Sequence, residues 1–221
     1  MPSILSLTEE KMLQAQGYQH IAGVDEVGRG SLAGPVMAAA VILPRNINTP
    51  WLDQIKDSKQ LSPAKRRLLS HHIHEIATAI GIGLITAEII DNHDIVKATR
   101  LAMKSAIYKL SPPADSLLID YMFLPDVPLP QKGIKYGDNL CLSIACASII
   151  VKVTRDQLMA ELDSCYLGYG LAQHKGYGTR EHLTCLHRLG PSPIHRHSFE
   201  PIKTMTENEK WRHRRSRQAT T

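Results

Sequence analysis

Cysteine is scarce in this 221-residue chain and badly spaced for chemistry. The four cysteines, at 141, 146, 165 and 185, form no C-x-x-C pair, and no histidine stands at finger spacing from two of them. That excludes a zinc finger and argues against a disulfide framework. The expectation is four small, buried, apolar side chains in a reducing compartment. Aromatics are few as well, at 5%, so aliphatic packing has to build the core. Long apolar runs are missing: the longest, residues 32–43, contains Pro35 and is too short to span a bilayer. The first residues include Glu9 and Glu10 and lack a basic-then-apolar leader pattern. There is no internal repeat and no low-complexity segment. A soluble, cytoplasmic protein is expected, with no membrane contact.

What the chain does have is unevenly placed charge. The net charge is +5. Residues 203–221 carry six Lys/Arg and two acids, and residues 174–197 carry four Lys/Arg and one acid, which leaves about −2 for the rest. An acidic front and a basic back suit an anionic partner brought to a metal site. Charged tails also serve solubility alone, so the balance does not by itself identify nucleic acid.

Hydrophobic periodicity predicts alternating strands and helices, hence one α/β domain. Ser6 with Glu9 reads as a capping box opening a helix that stops near Gly17. Ile21–Val24 reads as a buried strand ending in Asp25 and Glu26. Gly28 to Pro35 is a turn, and Val36–Leu43 a second strand, so the sheet should be mixed. Residues 44–57 read as a loop. Ser62 and Pro63 start a helix running to about Ala79. A strand over Gly81–Thr86, a helix over Ile95–Leu110 and a strand over residues 117–120 follow. Residues 121–137 read as a Pro-rich loop, Ser143 to about Leu162 as a long helix, and Thr179–Leu189 as another.

Asp25, Glu26 and Asp120 share one position type, the end of an apolar strand. Strand ends gather distant residues at one rim of a sheet. Clustered carboxylates raise one another's proton affinity, and a divalent cation relieves the repulsion. Oxygen-only ligands favour Mg²⁺ or Mn²⁺. Such ions can drive phosphodiester hydrolysis without a histidine base. An isolated Asp-Glu pair is more often a solvated strand end. Adjacent strand residues also point to opposite faces, so both reach one site only if the strand bends, which Gly28 would permit. The spacing Gly28-x-Gly30-x-x-x-Gly34 suggests a dinucleotide-binding turn as an alternative, but a β-like run follows where that motif needs a helix. Of the 11 histidines, His71, His72 and His74 fall on a predicted helix surface. For His174, His195 and His197 a structural or solvent-facing role is the plainer expectation.

Taken in order, several segments together closely resemble ribonuclease HII. They are Gly23-Val-Asp-Glu-Val-Gly-Arg-Gly30, Leu32-Ala-Gly-Pro-Val36, Asp57-Ser-Lys-Gln-Leu-Ser62, Leu118-Ile-Asp120, Gly137-Asp138, Ala147-Ser-Ile-Ile-Val-Lys-Val-Thr-Arg-Asp156, His174-Lys-Gly-Tyr-Gly-Thr179 and Pro193-Ile-His-Arg-His-Ser-Phe199. The resemblance spans roughly residues 20–202. The related ribonuclease HIII normally carries a further N-terminal domain, for which the stretch before Gly23 leaves no room.

This resemblance implies a ribonuclease H-like fold, a mixed sheet flanked by helices with a helical C-terminal portion, over residues 1–202. Residues 203–221 are then a basic, disordered tail. It implies an endonuclease cutting the RNA strand of RNA–DNA hybrids and single ribonucleotides embedded in duplex DNA, on their 5′ side, leaving 3′-hydroxyl and 5′-phosphate ends. The family's four metal-holding acids match Asp25, Glu26, Asp120 and Asp138. Asp138 rests on the resemblance alone, since by itself it reads as a turn residue. Gly28, Arg29 and Gly30 match the family's sensor of the ribose 2′-hydroxyl. Tyr177 matches the tyrosine that stacks on the next sugar, and Lys59 and Ser148 match phosphate contacts. Tyr121 departs from the family, where glycine is common, so the loop beside the site is bulky. A monomer is expected, and no protein partner is legible. Two other functions stay open: a metal-dependent DNA nuclease of the same fold, and a non-catalytic nucleic-acid-binding relative.

Overall fold

Two runs of small and branched residues build the centre of the sheet, because their side chains leave room for helices to approach closely. The computed structural model describes residues 5–55 and 61–206. Strands β1 (Ile21–Val27) and β2 (Val36–Ile42) pair antiparallel, and β2 pairs antiparallel with β3 (Ala79–Ile85). On its other edge β1 pairs parallel with β4 (Ser116–Asp120), which pairs parallel with β5 (Gln131–Ile134). The order is β3-β2-β1-β4-β5, the mixed sheet that was expected.

The helices are α1 (Thr8–Ala15), α2 (Pro63–Ile76), α3 (Ala87–His93), α4 (Ile95–Tyr108), α5 (Gly137–Leu140), α6 (Leu142–Cys165), α7 (Leu171–His174) and α8 (Arg180–Leu189), and residues 202–206 are helical too. The chain divides into two compact units. The first comprises the described residues of Met1–Val27, Val36–Ile85 and Thr99–Arg155, and so holds the whole sheet. The second comprises those of Gly28–Pro35, Thr86–Ala98 and Asp156–Thr221.

Within the first unit, strand alternation assigns each helix to a face. A Cβ on Gly23 would fall 2.1 Å from the backbone carbon of Ser143, so α6 lies directly against that face of β1. Gly81 and Gly83 lie under the carbonyls of Ala106 and Ala102, so α4 covers the opposite face. The start of α6 is held by a residue distant in sequence. The buried Glu10 carboxylate accepts the Ser143 N–H at 2.8 Å and the Cys141 thiol at 3.2 Å. A negative group there meets both the unsatisfied N–H groups and the positive end of a 24-residue helix.

In the second unit, Leu32, Ala33, Met159, Leu171, Leu186 and Ile202 form a separate core. Thr179 caps α8 by accepting the His182 N–H. The carboxylate of Asp91 accepts the N–H groups of His197 and Ser198 at 2.8 and 2.9 Å.

Several local expectations are corrected. Ser6 and Glu9 form no capping box: Ser6 pairs its backbone with Cys141, Glu9 binds Lys132 at 2.7 Å, and Leu7 is the residue before the helix. The helix from Ser62 ends at Ile76, because Ala79 already belongs to β3. The stretch read as a Pro-rich loop contains β5, and the stretch read as loop over 44–57 contains a short 3-10 turn, Leu52–Gln54. The short helices α3, α5 and α7 were not anticipated. The dinucleotide-binding alternative falls, since β2 and not a helix follows Pro35. Cys141 and Cys146 are buried, but Cys165 is exposed and Cys185 half-buried; all four are free thiols. Burial, with the Glu10 charge behind it, pushes the Cys141 and Cys146 thiols up, so neither is a reactive thiolate. Among the described residues no helix is long and apolar enough to cross a membrane.

Candidate active site

Asp25 sits in β1 and Asp120 ends β4, and the strands run parallel with Gly23 opposite Leu118 and Val24 opposite Ile119. One further step along this register sets Asp25 beside Asp120. Alternation then places both carboxylates on the face that α6 covers. Asp25 is 6% exposed and Asp120 half-buried. The Asp25 carboxyl is pushed well above the usual carboxylate range, first by burial and then by the charges of Glu26 and Asp120. The Ser148 hydroxyl on α6 and the Glu26 N–H, at 2.7 Å from Oδ1, partly oppose this by hydrogen-bonding the charged form.

Glu26 is placed differently. The strand stays paired through Val27, with Glu26 opposite Ala38, so it does not make the bend that would bring both acids to one side. The turn begins at Gly28, whose φ is 87°. Glu26 therefore leaves the strand on the face opposite Asp25 while its charge still acts on Asp25. Asp138 lies in α5, 7% exposed, and takes the Asn139 amide at 3.0 Å. Its neighbour Gly137 donates an N–H to Asp120 Oδ1 at 2.7 Å, which brings the α5 turn to the end of β4. Among the described residues no three His, Cys, Asp or Glu side chains stand in a geometry that holds a metal ion as it is. What the first unit provides is a set of oxygen donors under mutual repulsion.

The residues matched to substrate reading, Gly28, Arg29, Gly30 and Tyr177, belong to the second unit. Gly28 is buried, Arg29 half-buried and Gly30 exposed. Arg196 is fully buried and fixes this turn from beneath. Its guanidinium donates to the Gly28 carbonyl at 2.7 Å, to Arg29 at 2.8 Å and to Gly34 at 3.0 and 3.1 Å. Tyr177, half-buried, pairs with Ser31 in an antiparallel bridge, and the Gly176 carbonyl accepts the N–H groups of Leu32 and Ala33. Gly176 has φ 80°, and a Cβ there would lie 2.4 Å from the Ala33 carbonyl oxygen, so only glycine lets the two turns meet. Arg196 carried no signal of this in sequence, because its contacts reach Gly28, Arg29 and Gly34, which are distant along the chain. Lys59, and the tail beyond residue 206, lie outside the described residues.

The ribonuclease HII family model matches residues 22–202. A ribonuclease HII of Dehalococcoides mccartyi is 55% identical over 202 residues, covering 91% of this chain and 95% of that one. The solved ribonuclease H2 of Pyrococcus horikoshii OT3 superposes with a TM-score of 0.70 at 25% identity, covering 85% of this chain and 97% of that one. A Bst-RNase HIII solved in complex with Mn²⁺ shares the fold, with a TM-score of 0.61 at 18% identity over 85% of this chain and 69% of its own.

Proposed function

This chain belongs to the ribonuclease HII family, and from that premise we propose a substrate and a mechanism. Membership makes it an endonuclease acting on phosphodiester bonds. The substrates proposed are the RNA strand of RNA–DNA hybrids and single ribonucleotides within duplex DNA. The cut falls on the 5′ side of the ribonucleotide and leaves 3′-hydroxyl and 5′-phosphate ends.

The observation that carries the mechanism is the pair Asp25 and Asp120, side by side on one sheet face, with the Asp25 proton affinity raised by burial and then by its neighbours' charge. This donor set fits a divalent cation: it is all oxygen, partly desolvated and short of positive charge. Asp25, Asp120 and Asp138 would hold Mn²⁺ or Mg²⁺, and ion binding would draw these carboxylates together. Glu26, which leaves β1 on the other face, would join them only by turning its side chain round the end of the strand. A pair of such ions supplies a more acidic attacking water and charge to meet the leaving 3′ oxygen. Ser148 orients Asp25 through its hydroxyl and, by family likeness, also faces a phosphate. Gly28, Arg29 and Gly30 would present backbone to the ribose 2′-hydroxyl, the group that separates RNA from DNA. Tyr177 would pack its ring on the deoxyribose that follows, where a second 2′-hydroxyl would intrude. Lys59 would add a point charge for a phosphate.

The test uses the full chain with Mg²⁺ or Mn²⁺, a duplex carrying one ribonucleotide, a matched all-DNA duplex and a long hybrid. Cleavage only beside the ribonucleotide and within the hybrid is expected. Equal cutting of the all-DNA duplex would turn the reading to a general nuclease. Cutting none would leave a binding protein, and cutting only the hybrid would remove the junction mechanism.

A further inference from the structure

Beneath Tyr177 lies a set of buried histidines that no step above uses. His182 and His195 are fully buried and His174 is nearly so. Their hydrogen bonds run between backbone groups whose roles are fixed, because an N–H only donates and a carbonyl only accepts. The Ser192 N–H donates to His195 Nδ1 at 2.9 Å, with the Ser192 hydroxyl 2.8 Å from the same nitrogen, and at the far end the Tyr177 carbonyl, which only accepts, sets the direction. A neutral imidazole that accepts at Nδ1 carries its proton on Nε2. His195 Nε2 lies 3.0 Å from His182 Nε2, so His182 accepts there and is protonated on Nδ1. That Nδ1–H donates to the Tyr177 carbonyl at 3.0 Å. His174 follows the same logic: it accepts the Gly176 N–H at Nδ1 and donates from Nε2 to the Tyr169 carbonyl. Its ring stacks on that of His182 with centroids 4.2 Å apart. Every imidazole is thus neutral, each ring nitrogen is used, and one arrangement of protons satisfies all of them.

The ends of this chain are informative. It begins at Ser192 in the segment leading to Arg196, which grips the Gly28–Gly34 turn, and it ends on the backbone of Tyr177. On its other side Tyr177 pairs with Ser31 of that same turn. The backbone carrying the Tyr177 ring is therefore clamped from two sides, by the strand-like bridge and by His182. We propose that His182, with His195 behind it, is a positioning residue for Tyr177 and so sets how strictly the enzyme demands a ribonucleotide followed by a deoxyribonucleotide. The inference rests on the reading of Tyr177 given under the proposed function. His182 touches neither substrate nor the acids; it acts through the Tyr177 carbonyl.

The experiment compares wild type with His182→Ala, His182→Asn, His195→Gln and Tyr177→Ala on a one-ribonucleotide duplex and on a uniform RNA–DNA hybrid. Asn at 182 keeps a donor close to the Nδ1 position, and Gln at 195 keeps one close to Nε2. His182→Ala is expected to raise KM for the one-ribonucleotide duplex by about tenfold, the scale of one lost hydrogen bond, with a smaller change in kcat. The hybrid should be affected less, and His182→Asn should recover most of the loss. Parallel loss on both substrates with no rescue by Asn would show a merely structural role and overturn the proposal. So would an unchanged KM ratio in His182→Ala while Tyr177→Ala alters it. An unchanged ratio in Tyr177→Ala itself would instead remove the reading of Tyr177. If His182→Ala fails to fold, ¹⁵N chemical shifts of the wild-type imidazoles still decide. Protons on Nδ1 of His182 and Nε2 of His195 are expected, and the reverse tautomers would overturn the chain.

Discussion

The N–H of Gly137 donates to Oδ1 of Asp120 at 2.7 Å, tying the turn that bears Asp138 to the end of β4. A Cβ at position 137 would lie 2.6 Å from Ile144 Cδ1 and 3.3 Å from Asp120 Oδ1, so the approach needs a residue without a side chain. Two acids separated by 18 positions are thereby brought to one rim, one at a strand end and one on a four-residue helix.

Asp25→Asn and Asp120→Asn should each lower metal-dependent cleavage by orders of magnitude, because the charges that would hold the ions supply several kcal/mol to the transition state. Folding should be kept or improved, since Asp25→Asn removes a carboxyl whose charged form burial disfavours and Asp120→Asn removes a like charge from beside it. Steady-state cleavage with Mg²⁺ or Mn²⁺ and a thermal melt check both halves. Near-normal cleavage by Asp120→Asn would exclude it as an ion ligand.

Much of this site could be read in the sequence, and the reasons are physical. Ile21–Val24 and Leu117–Ile119 are apolar runs that stop at acids, and a carboxylate at a buried strand end is an unusual expense unless something uses it. Asp138 follows a glycine and looks like any turn residue, so only the likeness to a family singled it out. The strand β5, Gln131–Ile134, buries only Ile134 and shows no apolar period, which is why its segment read as loop. Alternation alone had warned that Asp25 and Glu26 point apart, and the strand does remain straight there. Contacts such as Arg196 to Gly28, or Glu10 to Ser143, join residues more than 130 positions apart and leave no local mark.

Glu10→Ala should destabilise the protein by about 1–3 kcal/mol, the cost of stripping a partner from buried donors at a helix start. Glu10→Gln should cost less, because its amide oxygen can still accept the Ser143 N–H now bonded at 2.8 Å. Urea unfolding of the two variants measures the order. Equal loss in both would mean that the charge, acting on the helix end, outweighs the hydrogen bond.

Acid should weaken the second unit through its histidines. Burial, with His182 nearby, pushes the His195 imidazole down to about 4, and burial lowers His182 as well. An unfolded imidazole takes up its proton near pH ~6.5. Between these values the unfolded chain binds more protons, so stability is full above pH ~6.5 and falls as the pH drops toward about 4. The raised Asp25 carboxyl acts with the opposite sign, so the check is a difference: from pH ~7 to pH ~4.5 the urea midpoint of His195→Gln should rise relative to that of the wild type. An equal slope in the variant would place the acid sensitivity elsewhere.

Tyr121 stands immediately after Asp120 with φ 58° and a side chain left 71% exposed. Its N–H is bonded to the Ile134 carbonyl at 3.0 Å, which locks the backbone in this left-handed conformation. A side chain there costs about 1–2 kcal/mol, of which glycine recovers part, since it also gains freedom in the unfolded chain. Tyr121→Gly is therefore expected to stabilise by about 1 kcal/mol or less. Tyr121→Asn should gain less, because asparagine tolerates this region without matching glycine. Tyr121→Ala keeps the Cβ and should gain nothing. That ordering separates backbone strain from the exposed ring: if Ala gained as much as Gly, the ring and not the backbone would be the source of the cost. Cleavage chemistry should survive all three changes, because Asp120 is held by Gly137 on the far side of the turn and not by the Tyr121 side chain. Single-turnover rates falling in step with the size of residue 121 removed would instead mean that the ring itself meets the substrate.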